Sequence, residues 1–346
     1  MKALRLYGPN DLRLEEVPKP SISDEEILVR VKACAICGSD VRNVAAGGSG
    51  HGFSLPRVIG HEISGVIEEV GSKVVGYTPG MKVVLGVVIS CGRCIYCMKG
   101  HPNICIHKEA ISYQYDGGFA EFVVVPNTLV KQGGVMPIPE GISFEEASIT
   151  EPFSCALNGQ ELSNVSLGDV VVVIGAGPVG NMHVMLAKAR GAYSVILSEV
   201  NPERLKMSMD LGLADHYTEP SGLKDLVMQV TGGIGADAVI VAAPSGEAQV
   251  QALDVVAPRG RVNFFGGLPR GKSQIQVDSN MIHYREVFVH GTSDSTFLQM
   301  KKILNLMATK RLDAKKLITD VAPLDKYEEG FAKARSGSAL KVLLVP

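Results

Sequence analysis

The chain has 346 residues, of which 46% are hydrophobic and 20% are charged, and its formal net charge is −2. A length above about 300 residues predicts two domains, because a single hydrophobic core rarely grows that large. The near-neutral charge gives no electrostatic reason to expect nucleic acid or an anionic membrane as a partner.

The N-terminal segment, MKALRLYGPN, lacks the basic and apolar regions of a secretory signal. The most hydrophobic stretch, 170–186, is interrupted by Asn181 and His183, so we do not expect it to span a membrane. We therefore expect a cytoplasmic, reducing location, in which disulfides are rare.

Residues 1–150 are predicted to be rich in β-strands. Short β-branched runs bounded by Gly or Pro are typical of strands joined by tight turns, and they occupy 27–31, 64–70, 82–84 and 121–125. The motifs CGSD (37–40) and GHE (60–62) lie among these runs. Each contains a metal-binding residue type, but an isolated Cys or His is more often part of a hydrophobic core.

Four cysteines lie within fifteen residues, and they are Cys91, Cys94, Cys97 and Cys105. Four thiolates are the number that a closed tetrahedral zinc site requires. Disulfides are disfavoured by the reducing location, and iron–sulfur clusters use other cysteine spacings. The sequence therefore predicts a structural zinc ion here.

After residue 142 the pattern becomes helical and then alternates between strand and helix. Residues 143–162 are predicted to be helical, with Ser143 and Glu146 at the spacing of a capping box. Strands are predicted at 170–175, 194–198, 237–242, 261–265 and 287–290, with helices at 178–190 and 202–212. This alternation is typical of an α/β domain with a doubly wound parallel sheet. A helix at 297–309 and a strand at 341–345 follow, and we expect the last strand to return to the sheet of the first domain.

A dinucleotide site is predicted where the strand at 170–175 meets its helix. The sequence there is GAGPVG, with Gly175 for the turn, Gly177 for close approach of the pyrophosphate and Gly180 for helix–strand packing, and with Pro178 and Val179 opening the helix. Glu199 stands 24 residues after Gly175, where an acidic side chain binds ribose hydroxyls. A carboxylate there repels a 2′-phosphate, so NAD(H) is predicted. Arg204 lies nearby and pairs either with solvent or with a ribose oxygen.

These motifs, together with DGGFAEF (116–122), resemble the zinc-dependent medium-chain dehydrogenase/reductase family, and in particular its sorbitol (polyol) dehydrogenases. The resemblance extends over nearly the whole chain. It implies a GroES-like, β-rich catalytic domain formed by 1–152 and 294–346, and a Rossmann NAD-binding domain formed by 153–293. It also implies a catalytic zinc ion in the cleft between the domains, in addition to the structural zinc.

By position in the family motifs, the resemblance implies that Cys37 and His61 are zinc ligands and that Glu151 occupies the third protein position. Glu62 matches a carboxylate that either binds the metal or stands just behind it. Ser39 matches the hydroxyl that begins a proton relay, and Asp40 either orients a zinc ligand or caps the following helix. Many relatives carry histidine where this chain has Arg42, so the proton route stays open between water and another group such as His51.

The reaction implied is NAD-dependent oxidation of a secondary alcohol of a polyol, sugar or cyclitol to the ketone. Two close alternatives are L-threonine 3-dehydrogenase and a sugar-phosphate polyol dehydrogenase. A non-catalytic zinc protein on the same fold is a further alternative, but it would be expected to lose Cys37, His61 or the glycine turn, and all are present. The family resemblance also implies a homo-oligomer, either a tetramer or a dimer.

Overall fold

The computed structural model describes residues 1–48, 52–269 and 271–346. The chain forms two compact units, one comprising Met1–Ser154 with Asp294–Pro346 and the other Cys155–Ser293. The α/β class predicted from the sequence is confirmed. Among the described residues, no helix combines the length and the apolar character needed to cross a bilayer.

The strands are numbered in chain order. They are β1 (Lys2–Gly8), β2 (Asp11–Glu16), β3 (Ile27–Ala35), β4 (Arg57–Val58), β5 (Glu62–Val70), β6 (Lys82–Leu85), β7 (Val88–Ile89), β8 (Glu109–Ala110), β9 (Phe122–Val125), β10 (Val135–Pro137), β11 (Val170–Ile174), β12 (Ser194–Ser198), β13 (His216–Thr218), β14 (Ala236–Val241), β15 (Val256–Phe264), β16 (Phe288–Gly291), β17 (Ile318–Pro323) and β18 (Lys341–Val345).

The α-helices are numbered in the same way. They are α1 (Gly38–Ala46), α2 (Ile95–Met98), α3 (Asn127–Lys131), α4 (Phe144–Ser148), α5 (Thr150–Leu162), α6 (Pro178–Ala189), α7 (Pro202–Asp210), α8 (Leu223–Val230), α9 (Gly246–Val255), α10 (Ser279–Tyr284), α11 (Phe297–Ala308) and α12 (Tyr327–Ser336).

The larger sheet of the first unit has the order β10-β6-β5-β3-β18-β17, with β9 also paired to β3. The final strand, β18, runs antiparallel to β3, with Leu343 opposite Ala35. Apolar side chains of this sheet form a core that includes Ile63 and Phe119, both fully buried. The sheet therefore brings the C-terminal strand next to the end of β3, where the CGSD motif begins.

The helix predicted over 143–162 is interrupted. The capping box is present, because the Ser143 hydroxyl accepts from the N–H of Glu146 at 3.2 Å and the Glu146 carboxylate accepts from the N–H of Ser143 at 3.1 Å. The first helix, α4, ends at Ser148, Ile149 is its C-cap, and α5 begins at Thr150. Pro152 explains the break, since proline has no N–H and its ring clashes with the carbonyl four residues earlier, but it is tolerated in a first turn.

The second unit is a parallel sheet of order β13-β12-β11-β14-β15-β16. The run VVVVI of β11 is buried throughout, as expected for a strand covered on both faces. The strand order reverses between β11 and β14, and such a reversal opens a crevice at the carboxyl ends of the strands. The glycine-rich turn follows β11 and therefore lies at this position.

Candidate metal and cofactor sites

The four clustered cysteines converge in the first unit. Their sulfur atoms all lie within 4.8 Å of one another, and Cys94 Sγ is 3.5 Å from Cys97 Sγ and 3.8 Å from Cys105 Sγ. A tetrahedral zinc ion with Zn–S bonds of about 2.3 Å separates its sulfurs by about 3.8 Å. These separations fit zinc and are too long for disulfide bonds of about 2.05 Å. The site is therefore suited to a closed, structural metal.

Backbone N–H groups support the thiolates of this cluster. The N–H of Cys91 and the N–H of His107 each donate to Cys105 Sγ at 3.3 Å, and the N–H of Cys94 donates to Cys91 Sγ at 3.3 Å. Hydrogen bonds from the backbone, the largest from Cys97, lower the pKa of Cys94 to about 6. Burial, in contrast, raises the pKa of Cys105 to about 11, so the backbone favours the charged form at Cys94 but not at every sulfur of the cluster.

A second group of metal-binding side chains lies elsewhere in the same unit. One donor atom each from Cys37, His61 and Glu62 lies within 4.8 Å of the other two. The strand register explains the convergence, because Ala35 at the end of β3 pairs with Glu62 at the start of β5. The motifs CGSD and GHE, which are separate in sequence, therefore meet where β3 ends and β5 begins.

Asp40 contacts both the start of α1 and His61. It is fully buried, and its Oδ2 accepts from the N–H of Cys37 at 2.9 Å, which helps to cap α1. Its Oδ1 stands 3.4 Å from His61 Nδ1. Burial by itself lowers the pKa of His61, but the charges of Asp40 and Cys37 oppose this and hold that pKa well above its usual value. A carboxylate near Nδ1 directs Nε2 toward a metal.

Glu62 has a buried cationic partner. The Lys341 ammonium of β18 lies 2.6 Å from Glu62 Oε1 and 2.5 Å from Oε2. The two side chains are among the most buried ionisable groups of the unit, with Glu62 at 0% and Lys341 at 2% exposure. Sequence reasoning missed Lys341, although a single lysine within the apolar run KVLLV is a signal for a buried, paired cation.

Glu151 and Ser39 also lie in the first unit. Glu151 is 8% exposed in the first turn of α5 and is not part of the 4.8 Å group. The negative charge of the Glu151 carboxylate is one of the causes that raise the pKa of Lys341. Glu151 therefore acts electrostatically on the partner of Glu62. The Ser39 hydroxyl oxygen is buried and has no hydrogen-bond partner among the described residues. A buried hydroxyl without a partner can both accept and donate a hydrogen bond to a bound group.

Arg42 does not supply a proton acceptor beyond Ser39. That residue is exposed on α1, and a guanidinium does not accept protons at neutral pH. His51, the other group that the sequence suggested, lies outside the described residues. The proton route beyond Ser39 therefore stays open between water and His51.

Two aromatic side chains flank the cluster, and no sequence motif pointed to them. The Tyr113 ring centroid lies 6.3 Å from that of His61, and Phe53 packs on Tyr113 at 4.9 Å. They place an apolar surface beside the metal-binding atoms. A thiolate, an imidazole and carboxylates are the ligand types of catalytic zinc sites, so the residues present fit zinc.

Asp40→Asn is expected to weaken metal binding at this cluster by about 10- to 100-fold, because the charge that orients His61 is lost. Asparagine keeps the size and an oxygen that can still accept from the N–H of Cys37. The measurement is competition with a chelator, followed by metal analysis of the protein. Asp320→Asn, which removes a surface partner of Lys333, is the control. Equal metal affinity in Asp40→Asn and the unaltered protein would contradict the orienting role.

The glycine-rich turn of the second unit has the geometry of a dinucleotide site. Gly175 has φ = 110°, which side chains rarely adopt. No atom lies within 4 Å of a Cβ built on Gly177, whereas one built on Gly180 would lie 1.7 Å from the Gly175 carbonyl oxygen. Gly177 therefore opens onto free space, while Gly180 permits close packing. Pro178 and Val179 begin α6, whose first N–H groups are available to an anion.

Glu199 lies beside this turn. It is 6% exposed, its Oε2 accepts from the N–H of Ala176 at 2.6 Å, and its Oε1 accepts from the N–H of Asn201 at 2.9 Å. Arg204 lies five residues later, in the first turn of α7. An acidic side chain at the end of the second strand fits a ribose diol. The residues present thus fit a nicotinamide dinucleotide.

Comparison with known proteins identifies the families of both units. Residues 23–140 match the alcohol dehydrogenase GroES-like domain, and residues 178–309 match the zinc-binding dehydrogenase domain. The chain is 31% identical to a sorbitol dehydrogenase of Halalkalibacterium halodurans, over 100% of this chain and 99% of that protein. It is 33% identical to an L-threonine 3-dehydrogenase of Bacillus subtilis, with the same coverage. The crystal structure of a Sinorhizobium meliloti 1021 protein with bound NADP matches with a TM-score of 0.90 and 30% identity, over 100% of this chain and 99% of that one.

Proposed function

The chain belongs to the zinc-dependent medium-chain dehydrogenase family of the sorbitol dehydrogenase type, and from this premise we propose that it oxidises a secondary alcohol of a polyol, sugar or cyclitol to the ketone with NAD. It is a zinc-dependent alcohol oxidoreductase that uses a nicotinamide cofactor. The observation that carries the proposal is the meeting of Cys37, His61 and Glu62 within 4.8 Å. A binding protein without catalysis has no need for this donor set together with a dinucleotide turn.

We propose that Cys37 and His61 hold the catalytic zinc together with a carboxylate, from Glu62 of the same donor group or from Glu151, and that one position is left open for the substrate. When bound, zinc acts as a Lewis acid that lowers the pKa of the alcohol hydroxyl. Ser39 Oγ would accept the hydroxyl proton while its own proton leaves to water or to another group such as His51, since Arg42 cannot accept it. The nicotinamide dinucleotide, held by the turn from Gly175 to Gly180, would supply the acceptor for the hydride of the carbon that bears the oxygen. Asp40 holds His61 in orientation through its Oδ1, which lies 3.4 Å from His61 Nδ1.

The preference for NAD over NADP rests on Glu199. Its carboxylate is fixed by two backbone N–H groups beside the turn, where it can accept hydrogen bonds from ribose hydroxyls. A 2′-phosphate at the same place would meet like charge. Although the similar Sinorhizobium meliloti protein carries NADP, we propose NAD for this chain. We also propose that the four-cysteine cluster holds the second zinc ion of the chain. The protein is further proposed to be a homo-oligomer in the cytoplasm.

The test is an assay of the purified protein with NAD or NADP and a panel of sorbitol, inositol, sugar phosphates and L-threonine. We expect reduction of NAD with a polyol or cyclitol, and kcat/KM at least about tenfold lower with NADP. L-threonine is the second candidate substrate, because of the 33% identity to an L-threonine 3-dehydrogenase. Turnover of L-threonine alone would favour it, and no turnover of any secondary alcohol would contradict the proposal.

A further inference from the structure

The guanidinium of Arg42 lies over the first turn of α1, next to the segment that carries Cys37. Its Nη1 stands 3.5 Å from the position that a Cβ on Gly38 would occupy, so the side chain runs back along the helix toward its start. Gly38 and Arg42 are four residues apart, which places them on the same face of a helix. Because Gly38 directly follows Cys37, a positive charge lies near the metal-binding cluster.

This cation has no partner among residues 1–48, 52–269 and 271–346. Other arginines of the first unit form ion pairs, namely Arg5 with Glu15, Arg30 with Glu68 and Arg57 with Asp116. The acidic residue nearest to Arg42 along α1 is Asp40, which is fully buried and faces the N–H of Cys37 and His61 Nδ1. A guanidinium is always charged, so Arg42 presents an uncompensated positive charge at the surface.

Two other side chains of α1 have buried polar atoms that lack a partner. They are Ser39 Oγ and Asn43 Nδ2, neither of which is hydrogen-bonded within the part of the chain that the structure describes. Ser39 and Asn43 are four residues apart and therefore share a face of the helix. Buried donors without partners cost free energy and are few in native structures. A bound group that accepted hydrogen bonds from them would remove this cost.

The unpaired groups of this segment are hydrogen-bond donors, which indicates an anion. A guanidinium offers five N–H donors in a planar fork, a side-chain amide offers two and a hydroxyl offers one. A phosphate ester has three strongly accepting oxygens, so it can accept from all three side chains. A guanidinium also binds phosphate through two parallel hydrogen bonds, which adds specificity to the charge.

The spacing along α1 indicates where such a phosphate would lie on the substrate. Ser39 belongs to the proposed proton route and so lies near the alcohol oxygen. The four residues from Ser39 to Asn43 advance the helix by about 6 Å. The phosphate is therefore expected on a carbon close to the oxidised one.

We propose that the substrate of this enzyme carries a phosphate ester, and that Arg42 binds this phosphate together with Asn43 beside the catalytic metal. The inference rests on the proposed function, because it concerns the substrate of the same site. It narrows the polyol, sugar or cyclitol to a phosphorylated one.

The first test compares kcat/KM of the full-length, zinc-loaded protein for substrates that differ only in the phosphate, namely myo-inositol with inositol 1-phosphate and sorbitol with sorbitol 6-phosphate. The phosphorylated member of at least one pair should be preferred by about tenfold or more. Arg42→Gln should lower this preference by about 10- to 100-fold, since charge-assisted hydrogen bonds are lost. Arg42→Lys keeps the charge but not the fork and should retain part of it. Arg311→Gln, which alters an exposed arginine just after α11, is the control and should keep the full preference.

The second test does not depend on turnover. It measures the binding of inorganic phosphate by calorimetry at constant ionic strength. The dissociation constant should rise by about tenfold or more in Arg42→Gln, and by less in Asn43→Ala, which removes a neutral donor. It should stay the same in Arg311→Gln. Phosphate bound by the metal alone would give equal values in all these proteins and would count against the proposal.

Other results would also overturn it. One is a free polyol that is oxidised as well as its phosphate, and another is a preference that Arg42→Gln leaves intact. If Arg42→Gln raises KM for NAD equally with both members of a pair, the guanidinium serves the cofactor instead. Better turnover of gluconate than of any phosphorylated polyol would assign the cation to a carboxylate. If no secondary alcohol is oxidised, the proposed function fails, and calorimetry alone decides whether Arg42 binds phosphate.

Discussion

Replacing Cys37 with alanine is expected to lower the zinc content from two ions to one per chain and to abolish alcohol oxidation. The cysteine contributes the thiolate of a group whose donor atoms lie within 4.8 Å of one another. Without it, His61 and one carboxylate are left as the proposed ligands, and two such donors hold zinc poorly. Loss of the Lewis acid removes several kcal/mol of stabilisation, so kcat/KM should fall by about a thousandfold or more, corresponding to ~4 kcal/mol.

Two other cysteines give matched controls for Cys37→Ala. Cys34 is fully buried three residues earlier and belongs to neither metal-binding group, so Cys34→Ala should keep two zinc ions and measurable activity. Cys94→Ala should lose the other zinc ion and lower the thermal stability of the first unit, since its sulfur is part of the four-cysteine cluster. Elemental analysis with a steady-state assay distinguishes the three variants. A Cys37→Ala protein with two zinc ions and full turnover would contradict the proposed ligand set.

The motifs that the sequence revealed are those whose parts lie close together along the chain. The four cysteines occupy fifteen residues, and their sulfurs do converge. The turn from Gly175 to Gly180 follows a fully buried strand, as its pattern predicts. In both cases a short stretch of backbone sets the geometry of the site. The spacing of the residues in the sequence is therefore enough to predict it.

The features that the sequence did not reveal depend on long-range pairing. The contact between Lys341 and Glu62 spans 279 residues and exists only because β18 joins the sheet beside β3. The aromatic pair of Phe53 and Tyr113 likewise depends on how separate loops meet near His61. The break of the helix predicted over 143–162 is different, because Pro152 was visible and its effect on the preceding turn is local.

Gly177→Ala is expected to weaken NAD binding while leaving the fold intact. Gly177 has φ = −68° and ψ = 178°, which alanine adopts readily, and no atom lies within 4 Å of its Cβ position. The free energy of unfolding should therefore stay the same or rise by about 0.5 kcal/mol, since alanine restricts the unfolded chain. The methyl group would, however, stand where the backbone needs to approach the pyrophosphate, so the dissociation constant for NADH should rise by about tenfold or more.

Gly180→Ala, three residues later, is expected instead to destabilise the fold. A Cβ there would lie 1.7 Å from the Gly175 carbonyl oxygen, so α6 must move away from β11 or the turn must rearrange. Overpacking of this kind costs about 3 kcal/mol or more, and thermal unfolding should shift accordingly. NADH fluorescence titration and thermal unfolding, measured on both variants, separate the two effects. If Gly177→Ala binds NADH as tightly as the unaltered protein does, the pyrophosphate does not approach this glycine, and the roles assigned to the three glycines of the turn would have to be revised.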